Sequence, residues 1–193
     1  MKNFAVFASG RGSNLGAIID AVKDKKINAH LALVVSDRPE APALKLARDG
    51  NIPTAVFDRP LFLDRPAFEE AIIVKLKEAR IDFIVLAGYM RILSPHFIQT
   101  YPEKILNIHP SLLPSFKGAH AIKDAFAAGV KETGVTVHLV DEQIDHGTIL
   151  AQEVVPVSPQ DTLETLEAKI HTVEHKLYPR VIDQFARGEI QTQ

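Results

Sequence analysis

Runs of consecutive apolar residues alternate along this chain with stretches in which apolar side chains recur every three or four positions, a pattern that predicts strands and helices in turn. Phe4-Ala5-Val6-Phe7-Ala8 reads as a first strand, the glycine-rich Ser9 to Asn14 as a turn, and Leu15 to Val22 as a helix. A strand at Leu31 to Val35, a helix near Ala43 to Arg48, a short strand at Thr54 to Phe57 and a helix from Pro66 to Ala79 follow. The last carries Phe68, Ile72, Leu76 and Ala79 at helical spacing. Phe83-Ile84-Val85-Leu86-Ala87 is apolar throughout, as when helices cover both faces of a parallel sheet, and predicts a central strand. Lys104 to Ile108 predicts another, ended by Pro110. A helix around Ala121 to Ala128 precedes two β-branched runs, Gly134 to Val140 and Ile149 to Val155, which are expected to pair. A long helix closes the chain, Thr162 to Phe185 by its apolar spacing and about 162–187 with its ends. Strands and helices in this alternation call for an α/β fold in one domain, residues 1–193. Its core would be an open, mostly parallel twisted sheet flanked by helices, with ligands at the carboxyl ends of the strands.

Charge narrows the function. With 22 Lys and Arg against 24 Asp and Glu, there is no excess with which to grip nucleic acid or an anionic membrane, so neither is expected as a partner. The absence of cysteine excludes disulfides, thiolate metal sites and cysteine nucleophiles. The apolar start, Phe4 to Ala8, is shorter than a signal-peptide core and no segment approaches transmembrane length, so a cytoplasmic protein is expected.

Three places could carry chemistry. In Ser9-Gly10-Arg11-Gly12-Ser13-Asn14-Leu15, glycines permit close backbone approach and the free N–H groups of a helix start can hold an anion, which suits a phosphate. A dinucleotide fingerprint fits less well, because Leu15 stands where the third glycine is expected and glycine comes only at Gly16. Asp37 could still mimic a ribose-binding acid, and a purely structural turn is the third reading. The second place is Asn107-Ile108-His109-Pro110 with Asp145-His146-Gly147 further on. Asn107 and His109, two apart on a strand, should share one face. An amide, an imidazole and a carboxylate supply an oxyanion donor, a group titrating near neutrality and an acid to tune it. Each residue taken alone reads as well as a turn or backbone-satisfying group. The third is His171-Thr172-Val173-Glu174-His175, which matches a zinc pattern but finds only Glu189 as a downstream third ligand, so no metal is expected. Leu163, Leu166, Ile170, Val173, Leu177 and Val181 form one helical stripe with Glu174 at its edge. That carboxylate either pairs with Lys176 or Arg180 or lines a pocket for an amine.

Taken together, Gly10 to Leu15, Leu86-Ala87-Gly88-Tyr89-Met90-Arg91-Ile92-Leu93, Asn107 to Pro114, the Asp145 loop, and Glu174-His175 with Tyr178-Pro179 resemble the glycinamide ribonucleotide formyltransferase family of folate-dependent enzymes over nearly the whole chain. The strand, Asn-x-His-Pro and aspartate-loop parts also resemble methionyl-tRNA formyltransferases and formyltetrahydrofolate hydrolases and dehydrogenases. The Gly-Ser-Asn loop sets the ribonucleotide enzymes apart, and neither the extra carboxy-terminal domain of the tRNA enzyme nor a regulatory domain is expected. The resemblance implies a Rossmann-like formyltransferase fold. It also implies transfer of the formyl group of 10-formyltetrahydrofolate, as cosubstrate, to the amine of the ribonucleotide in purine biosynthesis, by direct attack. It assigns catalysis to Asn107, His109 and Asp145, the substrate phosphate to Gly12, Ser13 and Asn14, and the glycinamide end to Glu174. Folate would meet Arg65, Met90, Arg91, Ile92, Leu93 and Asn107, with the backbone around Val140 and Asp141 on its pterin-like ring and Arg65 on its glutamate tail. Partners are expected to be small molecules, and the protein a monomer or homodimer. Lys117 and Thr148 stand where many relatives carry proline.

Overall fold

The computed structural model describes residues 1–190. Its elements run in the order β1 (Lys2–Phe7), α1 (Ser13–Lys23), β2 (Ala29–Ser36), α2 (Pro42–Asp49), β3 (Thr54–Val56), α3 (Arg65–Glu78), β4 (Phe83–Leu86), α4 (Pro95–Thr100), β5 (Ile105–His109), α5 (Ala121–Ala127), β6 (Glu132–Leu139), β7 (Ile149–Pro156) and α6 (Leu163–Arg187). The strands make a seven-stranded sheet in the order β3-β2-β1-β4-β5-β6-β7. β1 to β5 pair in parallel, whereas β5 with β6 and β6 with β7 are antiparallel. The α/β expectation and the pairing of the last two strands both hold.

Alternation along each strand divides the core between the two faces. Phe4, Val6, Phe83, Val85 and Leu106 pack with Leu15 and Ile18 of α1 and Leu177, Val181 and Ile182 of α6. Ala5, Phe7, Ile84, Leu86 and Ile105 pack against Phe68, Ile72 and Leu76 of α3 and Phe97 of α4. The strand order reverses between β1 and β4, so the loops leaving those two strands flank a crevice at their carboxyl ends, where open α/β sheets bind ligands. Ser9 N–H donates to Gly88 O (3.1 Å) across it.

Two elements differ from the sequence expectation. α1 starts at Ser13 rather than Leu15, because left-handed Gly12 stands at its N-cap position. The short α4 was not expected, since one and a half turns give no apolar period. Its signal was local: Ser94 caps it by accepting from Phe97 N, and Pro95 occupies its first position.

α6 is tied to the sheet by one hydroxyl. Fully buried Tyr178 donates to Leu86 O (2.8 Å) at the end of β4 and lies 3.1 Å from Leu106 O near the start of β5. Burial pushes its phenol well above the usual tyrosine range, so it stays a donor. Tyr178→Phe is expected to cost about 1–2 kcal/mol of unfolding free energy, read as a lower urea midpoint at unchanged slope.

Candidate functional site

The loop leaving β1 delivers the amino end of α1 to the crevice. Gly12 has φ +80°, and a Cβ there would sit 2.9 Å from Ala43 Cβ and 3.0 Å from Ala43 Cα. Only glycine meets both the left-handed backbone and the close approach of α2. Because Gly12 carries no side chain to cap the helix, the first-turn amides of α1 are left for an anion. Gly12, Ser13 and Asn14 thus form an uncapped helix start, the position expected for an anion cradle.

Beside it lies Glu174 of α6, a carboxylate 4% exposed. Its Oε2 accepts from Asn14 Nδ2 (3.1 Å) and from His171 Nδ1 (2.9 Å). Neither Lys176 nor Arg180 pairs with it, and Arg180 reaches Glu153 instead (3.4 Å). The salt-bridge reading of Glu174 therefore fails, and its partners are Asn14 and His171. The hydrogen bond to Glu174 raises the pKa of His171, while burial lowers that of His175. Asn14 Oδ1 and His175 Nε2, close to Glu174 through its hydrogen bond and along the chain respectively, are buried without a protein partner. The His171 and His175 rings are stacked 6.3 Å apart, and among the described residues no group of three or more His, Cys, Asp or Glu is placed to hold a metal ion.

Across the crevice, β5 presents half-buried Asn107 and buried His109 on one face. His109 Nδ1 lies 3.5 Å from Asp145 Oδ2, so the imidazole and the carboxylate singled out from sequence meet, while the Asn107 amide is linked to Asp145 only through His138, whose Nε2 lies 3.8 Å from Asp145 Oδ1. Asp145 has φ +48° in the loop between β6 and β7, and its Oδ2 accepts from Gly118 N (2.8 Å). Gly147 lets that loop press against β6, where a Cβ would lie 1.9 Å from Leu139 O.

A fourth polar residue, unforeseen from sequence, completes the cluster. His138 stands directly opposite Asn107 in the antiparallel pairing of β5 and β6. Its Nδ1 donates to Leu139 O (2.8 Å), which leaves Nε2 to accept from Asn107 Nδ2 (3.1 Å). Burial lowers its pKa, which favours this neutral tautomer. His138 thus orients the Asn107 amide and leaves that amide's second N–H free. The available signal was the polar pair Thr136 and His138 at alternate positions within a β-branched run.

A loop lies over this cluster. His109 Nε2 donates to Phe116 O (2.8 Å) and Ser111 Oγ to Ser115 O (2.6 Å), and Phe116 itself is at φ +51°. The Phe116 carbonyl therefore occupies the position from which His109 Nε2 can protonate or bind an oxygen.

The segment after β4 forms the outer wall. Met90 and Ile92 are largely exposed, whereas Leu93 is buried with Phe68 and Phe97, so Leu93 offers the crevice only its backbone. Arg91 Nε donates to Asp37 Oδ2 (2.7 Å), and its guanidinium lies 5.5 Å from the centre of the Phe68 ring. Asp37, 4% exposed, also accepts from Ser9 Oγ (2.5 Å), and so acts as an anchor with no oxygen turned to a ribose. Arg65 donates from Nε to Glu69 Oε1 (3.0 Å) and from Nη2 to Ile92 O (2.6 Å). Val140 N donates to Ile105 O (2.8 Å), and Asp141 pairs with His146 Nδ1 (2.7 Å).

The chain is similar to known proteins over nearly its whole length. A family described as formyl transferase matches residues 2–182. The chain is 48% identical to the phosphoribosylglycinamide formyltransferase of Bacillus subtilis, over 98% of this chain and 99% of that one. It is 44% identical to the human trifunctional purine biosynthetic protein adenosine-3, over 97% of this chain and 18% of that protein. Among solved structures, glycinamide ribonucleotide transformylase 1 from Geobacillus kaustophilus superposes with a TM-score of 0.94 at 50% identity, covering 96% of this chain and 98% of that one.

Two measurements test the anion cradle and its neighbour. Gly12→Ala is expected to cost at least about 1–2 kcal/mol from the left-handed backbone alone, visible as a lowered melting temperature. The His171–Glu174 contact raises the histidine's folded pKa, so its stabilisation is full below the unfolded value of about 6.5 and is lost as pH rises through the folded value. The melting-temperature gap between wild type and His171→Gln should therefore be widest in mild acid and shrink in alkali.

Proposed function

We infer that this chain, which belongs to the formyl transferase family, transfers a formyl group to the amine of N1-(5-phospho-D-ribosyl)glycinamide in purine biosynthesis. The donor is 10-formyltetrahydrofolate, and the reaction runs in the cytoplasm without a covalent enzyme intermediate. One observation carries the chemical part of this reading. Asn107 and His109 share one strand face, His109 directs Nε2 at the Phe116 carbonyl (2.8 Å), and Asp145 backs the imidazole at 3.5 Å.

The substrate phosphate lies on the amides of Gly12, Ser13 and Asn14, with the macrodipole of α1 favouring its charge. Glu174 receives the glycinamide end, since a carboxylate beside that pocket orients an amine. The formyl donor lies along Met90, Arg91, Ile92 and Leu93. Exposed Met90 and Ile92 offer apolar surface, the backbone from Arg91 to Leu93 and at Val140 and Asp141 bonds the heterocycle's edge, and Arg65 meets the tail carboxylate.

Chemistry begins when the amine lone pair attacks the formyl carbon, forming the new C–N bond and moving the carbonyl π electrons onto oxygen. The free N–H of Asn107 and the Nε2–H of protonated His109 stabilise that oxyanion, which takes the place of the Phe116 carbonyl. Asp145 compensates the imidazolium charge and, directly or through water, relays the proton lost by the amine. Collapse of the tetrahedral intermediate breaks the bond from the formyl carbon to N10 of the folate, and that nitrogen takes up a proton. His109 acts here as general acid.

The test is turnover of 10-formyltetrahydrofolate with and without the ribonucleotide, with the formylated product identified by mass. Reaction only in the presence of the nucleotide is expected, and donor consumption without it would assign a hydrolase instead. In a folded protein His109→Ala should lose about 10²–10³ in kcat, with Asp145→Asn comparably severe. Near-full activity of His109→Ala would overturn the assignment.

A further inference from the structure

Among the buried groups the reaction does not use, Glu69 is the most informative. It lies on α3 at 3% exposure, next to Phe68 and one turn before Ile72 and Ile73, where an unpaired carboxylate would be costly. Three donors satisfy it: Arg65 Nε (3.0 Å), Ser94 N (3.0 Å) and Ser94 Oγ. Both donor residues flank the proposed folate wall. Ser94 closes the segment that begins at Gly88, and Arg65 also grips the middle of that segment through Ile92 O (2.6 Å).

We propose that Glu69 is a positioning residue for donor recognition: it holds the Arg65 guanidinium in the one orientation that presents its free N–H edge to a carboxylate on the donor's tail. With Nε on Glu69 and Nη2 on Ile92 O, Nη1 makes no hydrogen bond among the described residues, and the side chain is 48% exposed. A fork fixed in this way loses little further freedom when a carboxylate docks. Arg91 makes the contrast. Its Nε is held by Asp37 and its guanidinium lies over Phe68, so the two arginines of this wall are each set by a buried carboxylate, and Arg65 is the more exposed of the pair.

Two physical alternatives oppose this role. Glu69 could serve only as a brace for α4, since Ser94 Oγ both donates to Glu69 and caps that helix through Phe97 N (3.2 Å). It could also weaken tail binding by offsetting the positive charge of Arg65. At a half-exposed site, solvent and salt screen that charge effect, whereas the bidentate geometry persists.

The inference rests on the folate reading for the identity of the tail, and the experiment separates the two. Steady-state kinetics would use 10-formyltetrahydrofolate and its analogue truncated after the aminobenzoyl group, which lacks the glutamate carboxylates. Glu69→Ala is expected to raise KM for the full donor about tenfold, the loss of one charge-assisted contact, with little change in kcat or in KM for the truncated donor. In an Arg65→Ala background the same substitution should add nothing to the full donor's KM. Equal KM rises for the two donors, or a fall in kcat with both, would make Glu69 a brace and overturn the proposal. A lowered KM for the full donor would overturn it in favour of charge offset. If Glu69→Ala does not yield folded protein, Glu69→Gln carries the same comparison, since it keeps the volume and one acceptor oxygen. A smaller rise confined to the full donor supports the role, and identical behaviour of the two donors rejects it. Wild-type turnover of the full donor, measured alongside, tests the folate reading: its absence would count against the proposed function, whereas the donor selectivity of the variants bears on Glu69.

Discussion

The catalytic cluster depends on how β5 is paired. On one side β5 runs parallel to β4, which places its carboxyl end at the ligand-binding edge of the sheet. On the other side β6 returns antiparallel, and its register sets His138 opposite Asn107 and Thr136 opposite His109. From Thr136 beside His109, β6 runs back past Asn107 to Leu106, and the loop that follows it carries Asp145 to within 3.5 Å of His109. A one-residue slip between β5 and β6 would turn His138 to the other face of the sheet and leave the Asn107 amide without its acceptor.

Around that pairing, charge is buried only where several donors converge on it. Asp37 takes Ser9 and Arg91, Glu69 takes Arg65 and Ser94, and Glu174 takes Asn14 and His171. Asp37 ties together the loops after β1, β2 and β4, Glu69 ties α3 to the start of α4, and Glu174 ties α6 to the start of α1. They fix the relative placement of crevice walls that the hydrophobic core alone would leave free, because apolar packing is non-directional and these bonds are not.

Much of this architecture is legible along the chain, for reasons that differ by element. The β4 run and the α6 stripe are long or uniform enough for periodicity to speak, and Asn107 and His109 are paired by strand geometry alone. α4 is too short to show a period. His138 was missed because its importance comes from a cross-strand partner, and register is not written in either strand by itself. Glu174 stood out by helix phase, yet its actual partner Asn14 lies 160 residues away, whereas helix phase compares only neighbours such as Lys176 and Arg180. Asp37 and Glu69 show the same limit. Their roles come from the loop after β4, and nothing in their own surroundings along the chain announces it.

Tyr178 and Glu174 stand one helical turn apart on α6, one tethered to β4 and β5 and the other bonded to Asn14 at the start of α1. The tether makes the hydroxyl a fixed reference mark for the helix. Length can therefore be added or removed before Glu174 or after Tyr178 and be taken up at the helix ends. A residue gained or lost between them would swing Glu174 by about 100° around the axis while Tyr178 stayed in place. The spacing of this pair is then the part of α6 least able to drift as relatives diverge, even where the ends of the helix vary in length.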